Sequence, residues 1–187
     1  MRDLLLGVWL LWAGVLACGD SPFTEGAEID CQGETCLCTG SDEEPRCEAE
    51  CPEGGCDTAC SDAEDCALEC GNGCTHQCTD LNNCVTECGD DCQLACDRLS
   101  SCKTECGQDC VQSCEDVGNC AFTVGDGSRV QCTRVGNCNV TCRGSCTVVC
   151  EGAGNCNVGC APGAGDATLC PDGKTRACGQ PCPPTAG

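Results

Sequence analysis

Cysteine returns along most of this chain on a fixed beat, and that beat limits what the chain can become. From Cys66 the spacing reads C-x3-C-x3-C-x3-C-x5 and restarts at Cys84, Cys102, Cys120, Cys138 and Cys156, an 18-residue period. Cys47, Cys51, Cys56 and Cys60 fit the same unit with one extra residue, and the copy that starts at Cys156 degenerates after Cys160, giving about six units. A fixed period of this length is the mark of a stacked repeat, in which each unit buries its inner face against its neighbours. Other means of holding a fold are scarce: 31 of 187 residues are Cys, there is no Tyr, Trp9 and Trp12 lie near the amino terminus, and Phe23 and Phe122 complete the aromatics. Composition of this kind excludes a large hydrophobic core and points to a disulfide scaffold.

Residues between the cysteines say where the chain runs straight and where it bends. Between the first and second Cys stand triplets such as Val85-Thr86-Glu87 and Asn139-Val140-Thr141, and between the third and fourth Gln93-Leu94-Ala95 and Thr147-Val148-Val149, patterns that favour short strands. Between the second and third stand Gly71-Asn72-Gly73, Gly89-Asp90-Asp91 and Gly107-Gln108-Asp109, where the leading Gly can supply a positive φ. The interval back to the next unit ends in Asn83, Ser101, Asn119, Asn137 or Asn155, residues that tolerate left-handed backbone.

One unit is then strand, turn, strand, turn. Because the cysteines within a strand lie an even number of residues apart, they share a face with the residue midway between them. The predicted interior is Leu68, Thr86, Thr104, Phe122, Val140 and Val158 from one strand and His76, Leu94, Gln112, Val130 and Val148 from the other. The predicted fold is an all-β, disulfide-rich, flattened β-solenoid built from these repeats. Irregular loops stapled by disulfides are the alternative, and Gly and Asn at regular intervals argue against a helix.

Bridging can be read in part. In the fourth unit the second and third cysteines are replaced together, by Val124 and Ser128, which suggests that these two positions pair. The predicted bridges are Cys51–Cys56, Cys70–Cys74, Cys88–Cys92, Cys106–Cys110 and Cys142–Cys146. The remaining thiols can join the fourth Cys to the next first, as Cys78 to Cys84, or the first to the fourth within a unit, as Cys66 to Cys78; spacing does not choose.

The amino terminus reads as an export signal. Residues 1–17 hold Arg2 and an apolar run from Leu4 to Ala17, too short to span a bilayer. The run ends Val15-Leu16-Ala17-Cys18, followed by Gly19. This segment resembles the lipobox of bacterial lipoproteins, and with the repeats behind it the chain resembles those of the cysteine-rich repeat type. The resemblance implies cleavage before Cys18, diacylglyceryl on its thiol, and residence at the cell membrane or outer membrane. With Cys18 lipidated, 30 cysteines remain, an even number that can pair completely. In architecture the repeats also resemble insect disulfide-braced β-helices, without the regular Thr face of the antifreeze examples.

Segments 18–46, 47–165 and 166–187 are expected to be a lipidated acidic tether, the repeats, and a Gly/Pro-rich tail holding Cys170, Cys178 and Cys182. From Cys18 to Asp65 there are 15 acidic residues and 1 basic, from Val117 onward 4 and 5, and the net charge of the chain is −21. Such a balance repels phosphate backbones and excludes nucleic acid as a partner.

Glu69, Glu87 and Glu105 fall at one outward position of successive units, with Asp91 and Asp109 also in register. Stacked like charges repel, and a hard cation such as Ca²⁺ would relieve them, so these are the weak cation candidates. No cofactor is implied. There is one C-x-C, Cys36-Leu37-Cys38, and no C-x2-C of the zinc type; His76 is the only His, at an interior position, and no catalytic motif is present. The expected function is a non-enzymatic, lipid-anchored surface protein with a structural, adhesive or recognition role toward a protein or glycan. A cation- or metal-binding envelope protein and a secreted inhibitor- or toxin-like knot are the alternatives.

Overall fold

A computed structural model of the chain describes residues 28–32, 35–40 and 46–184, with side chains from residue 35 onward. The export signal and Cys18 lie outside the described residues. Strands follow in the order β1 (Glu28–Gln32), β2 (Thr35–Thr39), β3 (Arg46–Cys51), β4 (Asp57–Ser61), β5 (Asp65–Cys70), β6 (Thr75–Thr79), β7 (Asn83–Cys88), β8 (Gln93–Asp97) and β9 (Ser101–Cys106). They continue with β10 (Val111–Glu115), β11 (Asn119–Val124), β12 (Ser128–Thr133), β13 (Asn137–Cys142), β14 (Cys146–Glu151), β15 (Asn155–Gly159), β16 (Thr168–Leu169) and β17 (Thr175–Cys178).

The chain alternates between two sheets. Odd strands β3 to β15 form a 7-stranded sheet, and even strands β2 to β14 run through the middle of a 10-stranded one; within each of these two series the strands pair in parallel. Register advances by one repeat at each pairing: Cys66 lies beside Cys84 and Cys84 beside Cys102. The result is a β-solenoid of about seven turns, one more than the repeats counted in the sequence, and about 30 Å long at the usual strand spacing. Irregular stapled loops are excluded by this continuous ladder.

The extra turn corrects the expected boundaries. Segment 18–46 is not tether throughout: β2 stacks in parallel on β4, and β1 folds back on β2 as an antiparallel strand at the end of the sheet. Cys38 explains the difference, because it is buried and bridged to Cys47 and so ties β2 into the first turn. At the other end the tail supplies β17, antiparallel to β14, and β16 beyond it, held by Cys160–Cys178 and Cys170–Cys182. The larger sheet is therefore covered at both ends, while the smaller one ends on β3 and β15.

The alternation puts the midpoint residues inside: Leu68, Thr86, Thr104, Phe122 and Val140 from one sheet and His76, Leu94, Gln112, Val130 and Val148 from the other are all buried. Val158, in the last turn, is only partly buried. A third interior row adds to the two expected from the spacing. Ala63, Leu81, Leu99, Val117 and Val135 recur once per repeat and plug each fourth-to-first corner. Left-handed backbone sits immediately before each plug, at Asp62, Asp80, Arg98, Asp116 and Arg134, with φ between 52° and 56°, and at Gly152 with φ 67°. Asn83, Asn119, Asn137 and Asn155 instead begin strands. Their amides form side-chain ladders, Asn155 donating to Asn137 at 2.8 Å and Asn137 to Asn119 at 2.7 Å. The plug must turn inward within the short corner, and it is the residue before it that absorbs the reversal.

In the opposite turn the leading glycines serve a purpose other than the one expected. Positive φ occurs at the third position, Gly73, Asp91 and Asp109, and not at Gly71, Gly89 or Gly107. The leading Gly is needed because turns stack closely: a Cβ on Gly125 would lie 2.5 Å from the Gly107 carbonyl oxygen. Val124 and Ser128 leave this turn intact without sulfur. Both are buried and stand in register with Cys142 and Cys146, which are bridged. Val124→Cys combined with Ser128→Cys should therefore close an additional bridge and stabilise the fold by about 2 kcal/mol for so short a loop. The check is the intact mass, about 2 Da below that of the reduced variant for each bridge, together with the melting temperature.

Candidate functional site

Sulfur lines both edges of every turn but one. Across the Gly turns the structure joins Cys51 to Cys56, Cys70 to Cys74, Cys88 to Cys92, Cys106 to Cys110 and Cys142 to Cys146. At the plugged corners it joins the fourth Cys to the next first: Cys60–Cys66, Cys78–Cys84, Cys96–Cys102, Cys114–Cys120, Cys132–Cys138 and Cys150–Cys156. The alternative left open by spacing, first to fourth within a unit, is not used. These corner bridges link consecutive strands across the two sheets, with Cα atoms 6.3–6.6 Å apart. Cys36 is bridged as well, so every cysteine from Cys36 to Cys182 is in a disulfide.

The acidic candidates separate into two groups. Register places Glu50, Glu69, Glu87 and Glu105 in one outward row of the smaller sheet, so the row is one residue longer than the spacing alone suggests. Parallel neighbours stand about 4.8 Å apart. Glu50, Glu69 and Glu87 border a shallow cavity of about 330 Å³ with Pro52 and Gly71. Glu105 is drawn off by Arg143, whose Nη2 lies 3.0 Å from its Oε2. Asp91 and Asp109 belong to the neighbouring turns, not to this cavity. Their backbone N–H groups donate to the carbonyls of Gln108 and Asp126, and their left-handed φ makes them turn formers.

Charges that the sequence reading did not single out pair along the plugged corners. Arg98 donates to both carboxylate oxygens of Asp80, at 2.7 and 2.9 Å, and also pairs with Asp97. Arg134 grips Asp116 at 2.8 Å from two nitrogens and pairs with Glu115. These hydrogen bonds hold the Asp80 and Asp116 carboxyls below the usual carboxylate range. A sign was present in the sequence: each of the two arginines stands one full repeat after an Asp.

A second cavity, of about 620 Å³, opens beside β15 at the carboxy-terminal end. Asn139, Asn157, Asp166 and Arg176 line it, and Arg176 Nη1 reaches Cys156 Sγ at 3.0 Å.

His76, on β6, lies among the corner sulfurs of Cys66, Cys78 and Cys84. Its ring is 3% exposed, Nδ1 is 2.6 Å from Thr58 Oγ1, and Nε2 is 3.1 Å from Cys78 Sγ. Burial pushes its pKa down to about 4, against a smaller opposing contribution from a hydrogen bond to Thr58. Several cysteine triads hold sulfurs close enough together to ligate an ion, but each of these sulfurs is in a disulfide. The chain matches no protein-family model, no curated protein and no solved structure.

Because the folded pKa of His76 is below the unfolded value near 6.5, the folded state binds fewer protons between those limits. Its contribution is fully present above about pH 6.5 and is lost as pH falls toward 4. The full penalty is about 3 kcal/mol. Melting temperature should fall between pH 6.5 and 4, and His76→Leu, which places in this layer the residue found at Leu94, should flatten that fall.

Proposed function

We propose that the chain is a non-enzymatic, lipid-anchored cell-envelope protein. Residues 1–17 export it, Cys18 carries the lipid, and the solenoid is a rigid body with a structural or adhesive role. Pairing is the observation that carries this reading. All cysteines from Cys36 onward are bridged, and the β1–β2 register sets Cys31 opposite Cys36, so Cys18 is the cysteine left for acylation. A chain bridged throughout suits an oxidising space outside the cytoplasm.

A non-enzymatic role is supported by the position of His76, enclosed between disulfides where a substrate does not reach it. An anchor at the amino terminus sends the carboxy-terminal end outward, away from the acidic first turns. The polar cavity lined by Asn139, Asn157, Asp166 and Arg176 at that end suits hydrogen bonding to a glycan or a protein loop. A second reading, a cation-binding envelope protein, is favoured by the Glu50–Glu69–Glu87 row alone.

Lipidation is tested by expression in a bacterium with lipoprotein processing. The mature protein should begin at Cys18, carry acyl mass and enter the detergent phase, and Cys18→Ala should move it to the aqueous phase. A native protein without acyl mass, recovered in water, contradicts the anchor. Ca²⁺ that raises the melting temperature of the native protein, and fails to raise that of a Glu69→Gln, Glu87→Gln variant, would favour the second reading.

A further inference from the structure

Each of the strands β4 to β14 of the larger sheet has a midpoint residue turned to the interior, and besides His76 these are Thr58, Leu94, Gln112, Val130 and Val148. His76 stands where Leu or Val would pack without the cost of desolvating an imidazole. Among the described residues it is the only buried ionisable side chain other than cysteine. The inward residues of the flanking strands β4, β5, β7 and β8 are Thr58, Leu68, Thr86 and Leu94 with their cysteines, and none is charged.

Three sulfurs surround Nε2: Cys78 at 3.1 Å, Cys84 at 3.7 Å and Cys66 at 3.9 Å. They belong to two consecutive bridges, Cys60–Cys66 and Cys78–Cys84. They are also the three sulfurs that decide between correct and incorrect pairing, since Cys66 and Cys78 are the first and fourth cysteines of one unit and their sulfurs lie within 4.8 Å. In the tautomer that carries its proton on Nδ1, Nδ1–H donates to Thr58 Oγ1, whose hydroxyl donates to the Thr75 carbonyl at 3.3 Å, and Nε2 is a bare acceptor. Disulfide sulfur has no proton to give it, so Nε2 finds a hydrogen-bond donor only when one of the three is a thiol.

We propose that His76 is the proton shuttle for the thiol–disulfide exchange that converts a mispaired Cys66–Cys78 bridge into the native Cys78–Cys84 bridge during oxidative folding. Nε2 takes the proton from the Cys84 thiol. The Cys84 thiolate attacks Cys78 Sγ, the Cys78–Cys84 bond forms, and the Cys66–Cys78 bond breaks. The Cys66 thiolate takes the proton back from the imidazolium and is then free to close on Cys60. One thiol and one disulfide enter and leave, so the step needs no oxidant. Closure of Cys60–Cys66 that follows uses the disulfide component of a glutathione redox buffer. Exchange depends on the thiolate, which is scarce near pH 7 for an ordinary thiol, so a local base has most effect there.

The test is refolding of the reduced full chain in a glutathione redox buffer at pH 7, with thiols trapped at intervals and cross-linked peptides quantified. The next unit supplies an internal control, the mispaired Cys84–Cys96 bridge, whose layer carries Leu94. Cys66–Cys78 should disappear roughly tenfold faster than Cys84–Cys96, less than the hundredfold or more of a general base matched to the working pH, because burial makes the His76 imidazole a weaker base. The advantage should shrink by pH 9, where thiolate is abundant. His76→Leu should bring the two rates together, and Leu94→His should transfer the advantage to Cys84–Cys96. Equal rates in the wild-type chain, or an advantage that survives His76→Leu, would overturn the proposal.

Discussion

Covalent sulfur bridging at both edges of nearly every turn is the constraint on which the rest depends. The interior is thin, a single row of midpoint side chains per sheet and one small apolar plug per corner, and several of its members, Thr86, Thr104 and Gln112, are polar. Gln112 shows how little margin there is: its oxygen accepts from Thr104 Oγ1 at 2.7 Å while its Nε2 has no partner. Short bridges restrict the unfolded chain turn by turn, and so stand in for the area that Phe, Leu and Ile bury elsewhere. They also explain the tolerance of Asp and Arg at left-handed corners, a conformation that costs side chains other than Gly some energy.

Much of this was legible because the same residue type recurs at the same place in every layer. The period located strands and turns, even spacing identified the inner face, and the joint loss of cysteines at Val124 and Ser128 indicated which thiols meet across the Gly turn. The corner pairing was not legible for a physical reason. Cys66 and Cys84 both lie near Cys78, so distance along the chain does not separate the right partner from the wrong one. The end strands escaped notice because β1, β16 and β17 pair antiparallel and stand outside the repeat. The corner plugs recur with the same period, but each is a single apolar residue among Asp, Arg, Asn, Ser and Gly, without the alternation that marks a buried face.

The candidate site was legible only in outline. Glu69, Glu87 and Glu105 were read as a row and form one, but Arg143 taking Glu105 depends on partners two repeats apart along the chain. Asp91 and Asp109 share a repeat position but do not line the cavity beside the Glu row, because their backbone conformation makes them part of a turn. The spacing places His76 at an interior position and says no more. Its meaning depends on the sulfurs around it, which no spacing displays.

The central claim is that disulfides, and not apolar packing, maintain the solenoid. The most direct measurement is circular dichroism and small-angle scattering of the purified chain before and after complete reduction at neutral pH. The account predicts that the reduced chain loses its β signal and expands toward the dimensions of an unfolded polymer. A reduced chain that keeps its sheet content and its compact dimensions would contradict it.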